Sequence, residues 1–158
     1  IGGFEEKLPP TLAESAQAAT KKEAGGLHRI AGCVLLNDLS LPHASYYRPA
    51  IREKCFDGAC PVGARLVSPA DAGELARVVI NTWIDGELAQ SRCLAELVRD
   101  VPTLISEVSH FMTLGADDML LVGVRWQAAQ AGLGAQVRVE AGALGEVNFA
   151  LAAEQELA

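Results

Sequence analysis

Apolar and polar residues along this chain repeat with two different periods, and the change between them divides it. Leu75 to Ile84 alternates in part, with Val78, Ile80 and Thr82 on one face and Val79, Asn81 and Trp83 on the other. That period of two predicts a half-buried strand. Asp85-Gly86 is the strongest hairpin signal in the chain, and Glu87 to Ser91 reads as the return strand. The period then lengthens. Leu94, Leu97, Val98 and Val101 mark one helical face, and Leu104, Ile105, Val108, Phe111 and Met112 mark another. Pro102 divides the two, Asp100 serves as cap for the second, and Leu114-Gly115 ends it. Asp118 to Val124 reads as a buried strand and Trp126 to Gly134 as an Ala/Gly-rich loop. Gln136 to Glu140 and Glu146 to Leu151 form a final antiparallel pair around Ala141 to Gly145.

Upstream, the apolar run Ile30 to Leu36 is too short for a free-standing helix, and Gly32, Cys33 and Val34 favour a covered strand. Ala64 to Val67 is a brief strand, and Ser68 to Ala72 forms a turn. In residues 1–29, Thr11 and Glu14 make a capping box after Pro9-Pro10, and Gly25-Gly26 supplies a stop. The segment reads as a short helix or as a disordered arm. The order of elements predicts an α+β, mostly β fold: a curled sheet or open barrel with one broken helix.

Composition narrows the function. At 158 residues the chain is expected to form one domain. A net charge of −7 argues against a nucleic-acid partner, whose footprint is a basic patch. No apolar run approaches the roughly 20 residues of a membrane span. The chain opens on Ile and shows no signal peptide, as expected for a cytoplasmic protein seen as a fragment, a processed chain or an ordered part. Cys33, Cys55, Cys60 and Cys93 match no common zinc or redox spacing and are expected to be free thiols.

The candidate chemistry follows the first strand. Asp38, Tyr46, Tyr47, Arg48, Arg52, Lys54 and Asp57 fall within twenty residues, at the end of a rigid buried element. Asp38 reads equally as a turn residue and as a ligand. Lys54 has Glu53 and Asp57 as salt-bridge alternatives to an active-site role. His43 reads as an acid or base, or as a solvated loop histidine. His110 belongs to the second helix, and His28 has no evident partner. Trp83 and Trp126 are most simply core or interface residues. Asp117-Asp118 looks like a metal pair but occupies a turn.

The stretch NDLSLPHASYYRPAIREKCFDGACPVG, then IDGEL with Gln90, VPTLISEVSHFMTLGADDMLLVG and VRVEAGALGEVNF, resembles the fumarylacetoacetate hydrolase superfamily from about Ile30 to Leu151. Within that superfamily it is most similar to the isomerase/decarboxylase branch of homoprotocatechuate (4-hydroxyphenylacetate) breakdown. It lies closer to the N-terminal than to the C-terminal of that branch's two duplicated halves.

The resemblance implies a mixed sheet rolled into a barrel-like core over residues 30–158, with residues 1–29 as an arm or remnant. It also implies assembly into homo-oligomers or with a homologous subunit. The implied chemistry is on small oxo-di- and tricarboxylates: an enolate formed by loss of CO2 or by proton movement, stabilised by Mg2+, Mn2+ or Ca2+. Carried over residue by residue, Asp38 is the metal-binding aspartate of the Asn-Asp pair. Lys54 is the active-site lysine of the Lys-x-x-Asp-Gly turn. Arg48, Arg52 and Tyr47 (or Tyr46) suit the other substrate carboxylates.

Two departures qualify this. The family's Glu-x-Glu metal pair should fall near Lys7-Leu8-Pro9 and occurs nowhere upstream of Asp38, so the metal is either weakly held or not used. The family's Thr-Gly-Thr-Pro turn reads Val122-Gly123-Val124-Arg125. The leading expectation is a decarboxylase/isomerase acting on 5-oxopent-3-ene-1,2,5-tricarboxylate or 2-hydroxyhepta-2,4-dienedioate. The alternative is a catalytically silent subunit paired with an active homologue. A generic acylpyruvate hydrolase is disfavoured, because its acid/base residues and metal ligands are missing.

Overall fold

The alternation in the second half of the chain builds a four-stranded sheet. The computed structural model describes residues 29–43, 48–123 and 128–153. These fall into two compact units: residues 29–31 with 97–123, and the described parts of 32–96 with those of 124–153.

The larger unit holds the sheet, with β1 (Val79–Ile84), β2 (Glu87–Cys93), β3 (Gln136–Glu140) and β4 (Glu146–Ala150) in the order β2-β1-β3-β4. Asp85 and Gly86, with φ of 51° and 86°, join β1 to β2. Both central residues lie in the left-handed region that a tight hairpin of this twist needs. The pairing slips between Thr82 and Trp83: Thr82 faces Gln90 and Trp83 faces Leu88, leaving Ala89 as a bulge. Asp85 also ties the hairpin to β3, donating its N–H to the Gln136 carbonyl and accepting the Gln136 N–H on its carboxylate, both at 2.9 Å.

The core lies on one face of this sheet. Val137 and Val139 of β3 and Val147 of β4 are buried with Leu35, Val67, Ala72, Ala141 and Leu144. Val78, Ile80 and Ile84 pack against them, so the even positions of β1 face inward as the alternation requires. Burial of each valine stabilises by about 1.5–3 kcal/mol. The opposite face is polar, carrying Asn81, Trp83, Arg138 and Glu140.

Several expectations are corrected. All three strand pairings are antiparallel, not mixed. Among the described residues β2 and β4 remain open edges, as an open, curled sheet allows. Ser68 to Ala72 is not a plain turn. Ser68 caps a one-turn helix, α2 (Pro69–Ala72), by accepting the Asp71 N–H at 3.2 Å. The strand expected from Leu75 starts only at Val79, because Leu75–Arg77 forms a 3₁₀ turn. The strand expected at Ile30–Leu36 survives as two isolated antiparallel bridges, Cys33 with Val67 and Leu36 with Val62. A Cβ on Gly32 would lie 2.6 Å from Leu66 Cγ and 2.9 Å from the Val67 carbonyl oxygen, so glycine is what lets these segments meet.

The smaller unit carries α3 (Val101–Ser109), capped as the sequence indicates: the Asp100 carboxylate accepts the Thr103 N–H at 2.8 Å. Arg99 pairs with Glu107 along it. The helix stops at Ser109, short of Leu114-Gly115. The earlier helical face is reduced to a 3₁₀ turn at Leu94–Glu96 in the larger unit, and Val98 is 95% exposed. An apolar spacing with nothing to bury against does not sustain a helix. Residues 118–123 form no strand: Met119 and Leu121 are exposed, and the Asp118 carboxylate instead accepts the Gly115 N–H at 2.7 Å. The capping box at Thr11 and Glu14, His28 and Trp126 lie outside the described residues.

Candidate functional site

The described parts of the stretch 35–63 fold back on one another as a ladder with constant register. Gly63 donates to the Leu35 carbonyl at 2.7 Å, Asn37 to Pro61 at 3.0 Å and Leu39 to Ala59 at 2.9 Å. Asp38 sits between the last two rungs, so its backbone is fixed on both sides. Beyond it, the Leu41 N–H reaches the Glu53 carbonyl at 2.9 Å, which docks the chain against a one-turn helix, α1 (Ile51–Lys54). Lys54 is the last residue of that turn.

These constraints bring together two residues sixteen apart in sequence. Lys54 Nζ donates to Asp38 Oδ2 at 2.7 Å. The side chains retain 39% and 26% of their full exposure, so the pair is open to solvent. An ion pair this wet contributes about 1 kcal/mol or less to folding. Its value is positional: an ammonium held at a known point with two N–H donors left over.

The other candidates are placed less tightly. Arg48 precedes α1 and Arg52 lies within it; both are exposed, and no described carboxylate forms an ion pair with either. Three cationic side chains therefore lie within seven residues. His43 is exposed, with Nδ1 3.4 Å from the Leu41 carbonyl oxygen, and makes no hydrogen bond to Asp38 or Lys54. Tyr46 and Tyr47 lie outside the described residues. A hollow of about 760 Å³ elsewhere on the larger unit includes neither Asp38 nor Lys54. Its Glu74 is paired with Arg77 at 2.7 Å and its Glu140 with Arg138 at 2.6 Å.

A divalent cation with oxygen ligands needs six or more donors. Asp38 supplies one carboxylate, already engaged by Lys54, and among the described residues no group of three His, Cys, Asp or Glu converges. The described donor set does not fit such an ion. The four cysteines are free, and burial pushes the Cys33 thiol above its ordinary range.

Sequence reasoning took Trp83 for a simple core or interface residue. Its indole Nε1 instead donates to Glu140 Oε1 at 3.2 Å, beneath the guanidinium of Arg138. The signal was available in the alternation of β3, which sends Arg138 and Glu140 to the face opposite Val137 and Val139.

Known proteins are similar to this chain in sequence and in fold. The family described as fumarylacetoacetate (FAA) hydrolase C-terminal matches residues 4–152. The chain is 36% identical over 141 residues to the 4-hydroxyphenylacetate degradation bifunctional isomerase/decarboxylase of Salmonella dublin, covering 89% of this chain and 32% of that protein. It is 38% identical over 124 residues to the Escherichia coli protein of the same name, covering 78% and 28%. It thus spans about a third of the length of these curated relatives. Among solved structures, fumarylpyruvate hydrolase from Pseudomonas aeruginosa in complex with Mn2+ and pyruvate superposes with a TM-score of 0.62 at 25% identity, over 68% of this chain and 46% of that one. With nearly the whole sequence matched, the chain belongs to the fumarylacetoacetate hydrolase C-terminal family.

Proposed function

We propose that this chain contributes a Lys54-centred oxo-acid site to a decarboxylase/isomerase of aromatic (4-hydroxyphenylacetate) catabolism. The observation that carries the reading is the Lys54–Asp38 contact at 2.7 Å, inside the matched stretch, with Arg48 and Arg52 unpaired among the described residues beside it. The isomerase/decarboxylase relatives at 36–38% identity support the reaction class. The pyruvate bound to the fumarylpyruvate hydrolase supports a 2-oxo acid as the ligand class.

In this reading 5-oxopent-3-ene-1,2,5-tricarboxylate lies with its 2-oxo-carboxylate end on Lys54. When the C–C bond to the departing carboxylate breaks, its electron pair passes along the enone to the oxo oxygen. CO2 leaves and a dienolate remains. The ammonium opposes the charge gathering on that oxygen. Arg48, Arg52 and Tyr47 hold the remaining carboxylates. Protonation of the oxygen gives 2-hydroxyhepta-2,4-dienedioate. Transfer of the hydroxyl proton to carbon then regenerates the 2-oxo group, with His43 as the group that moves the proton.

The test is conversion of each compound by the full-length protein, followed in the ultraviolet. A Lys54→Met variant is expected to lose about 100-fold or more in kcat/KM, the scale of removing one oxyanion-stabilising group. His43→Asn should slow the transfer of the proton to carbon by about 100-fold while sparing the loss of CO2. No turnover, alone or mixed with a homologous subunit carrying Glu-x-Glu, would refute an active site here.

A second reading has its own support. The absence, among the described residues, of a group of three His, Cys, Asp or Glu, and Val122-Gly123-Val124 in place of a hydroxyl-bearing turn, suit a catalytically silent subunit that pairs with an active homologue. Turnover by the mixture alone, unaffected by Lys54→Met, would favour it.

A further inference from the structure

Among the described residues Asp38 has one strong side-chain interaction, and it is with a cation the protein supplies itself. Lys54 Nζ approaches Asp38 Oδ2 at 2.7 Å, the distance of a charge-assisted hydrogen bond. A magnesium ion would sit about 2.1 Å from the oxygen it takes, so on Oδ2 it would stand against the ammonium with like charge. Among the described residues no group of three His, Cys, Asp or Glu converges to hold such an ion. We infer that Asp38 is the counter-ion of Lys54, and that the pair accepts a 2-oxo acid or dicarboxylate directly on the ammonium, with no divalent cation coordinated by Asp38. This rests on the reading of the site as an oxo-acid site and specifies its ligand chemistry.

The geometry leaves room for this. One of the three ammonium N–H groups serves Asp38 and two remain, on a side chain that keeps 39% of its exposure. Arg48 and Arg52 bring the cations within residues 48–54 to three, against Glu53 as the acid of that segment. With Asp38 on Lys54, three cations stand against two acids, and the net charge of +1 favours an incoming anion. Asp38 holds the ammonium in place and also competes with the ligand for it. Removing that competitor should strengthen anion binding, whereas removing a metal ligand would weaken it.

The two roles give opposite signs, which calorimetry can read. Oxalate is titrated into the full chain in EDTA and again in excess Mg2+. The inference expects the same affinity in both buffers, loss of binding in Lys54→Met, and a gain of about two- to fivefold in Asp38→Asn, the range of an exposed ion pair. Binding seen only with Mg2+, or a fall in affinity in Asp38→Asn, overturns the inference while leaving the oxo-acid reading intact. Absence of oxalate binding in both buffers overturns that reading and the inference with it.

Discussion

Arg138 and Trp83 are direct partners across the β1–β3 pairing, and the guanidinium stands over the indole, 4.9 Å from the ring centroid. Glu140 organises both. Its Oε1 accepts the Trp83 N–H at 3.2 Å and an Asn81 amide N–H at 3.4 Å, and its Oε2 accepts from Arg138 at 2.6 Å. One carboxylate thus satisfies three donors on the outer face of the sheet. Glu140→Ala removes the acceptor of all three, leaving Arg138 with Glu146 at 3.8 Å, and should cost about 1 kcal/mol. Arg138→Lys keeps the charge but loses the planar stack, at about 0.5–1 kcal/mol. Urea midpoints at unchanged m-value measure both. A lysine variant as stable as the parent would show that the stack contributes nothing.

Gly63 supports the candidate site from below. A Cβ there would lie 3.1 Å from the Leu35 carbonyl oxygen and 3.4 Å from Val147 Cγ2. The first neighbour is backbone, and it accepts the Gly63 N–H that forms the rung nearest the core. Gly63→Ala should therefore destabilise by roughly 1–3 kcal/mol, the range of an overpacked core. It should also loosen the ladder that fixes Asp38. The measurement pairs an unfolding midpoint with oxalate affinity at a temperature where the variant is folded. Alanine tolerated without loss in either would mean that the ladder has slack the geometry does not suggest.

How far the sequence could be read depended on where the information lay. The hairpin at Asp85-Gly86, the cap at Asp100 and the β3–β4 pair were legible because each is written in adjacent residues: a turn dipeptide, a cap with Pro102 behind it, a valine at every second position. The register of Leu35 to Gly63 was not. It depends on residues meeting across about twenty to twenty-eight positions, and Gly63 reveals its role only when Val147 is behind it. Asp118 to Val124 misled for a related reason. Its apolar residues suit a buried strand, but a strand also requires a partner edge, which composition does not record. At the site, Asp38 and Lys54 were both identifiable as residues of interest. Their direct contact was not, because nothing in the spacing distinguishes two groups facing one ligand from two groups facing each other.

The cysteines should differ in reactivity. Cys55 and Cys60 are exposed, while Cys33 is half-buried and its thiol is pushed up by that burial. Since the thiolate is the nucleophile, a raised pKa lowers its fraction at any given pH and adds to the loss of access. Limited alkylation with iodoacetamide at mildly alkaline pH, read by peptide mass spectrometry, should label Cys55 and Cys60 first and Cys33 last. Raising the pH further should narrow the gap. Cys33 labelled as fast as Cys60 in the folded protein would mean that the bridge between Cys33 and Val67 opens readily.

The cap of α3 provides a pH dependence whose sign can be worked out. Hydrogen bonds from the Thr103 side chain and then from its backbone N–H stabilise the charged form of Asp100 and hold its pKa below the ordinary value. A carboxyl with a depressed folded pKa binds its proton less readily when folded than when unfolded. Its contribution is therefore fully present above the unfolded pKa, near 3.9, and is lost as pH falls through the lower folded value. Asp100→Asn keeps an acceptor for the Thr103 N–H but does not titrate. The parent should exceed this variant in stability at neutral pH, and the difference should shrink below about pH 4. Asp100→Ala, which deletes the acceptor altogether, should cost about 1 kcal/mol at neutral pH. Urea unfolding of the three proteins across this range gives the comparison. A parent-to-Asn difference that stays constant down to strongly acidic pH would show that the charge on Asp100, as distinct from its oxygen, does not stabilise the start of this helix.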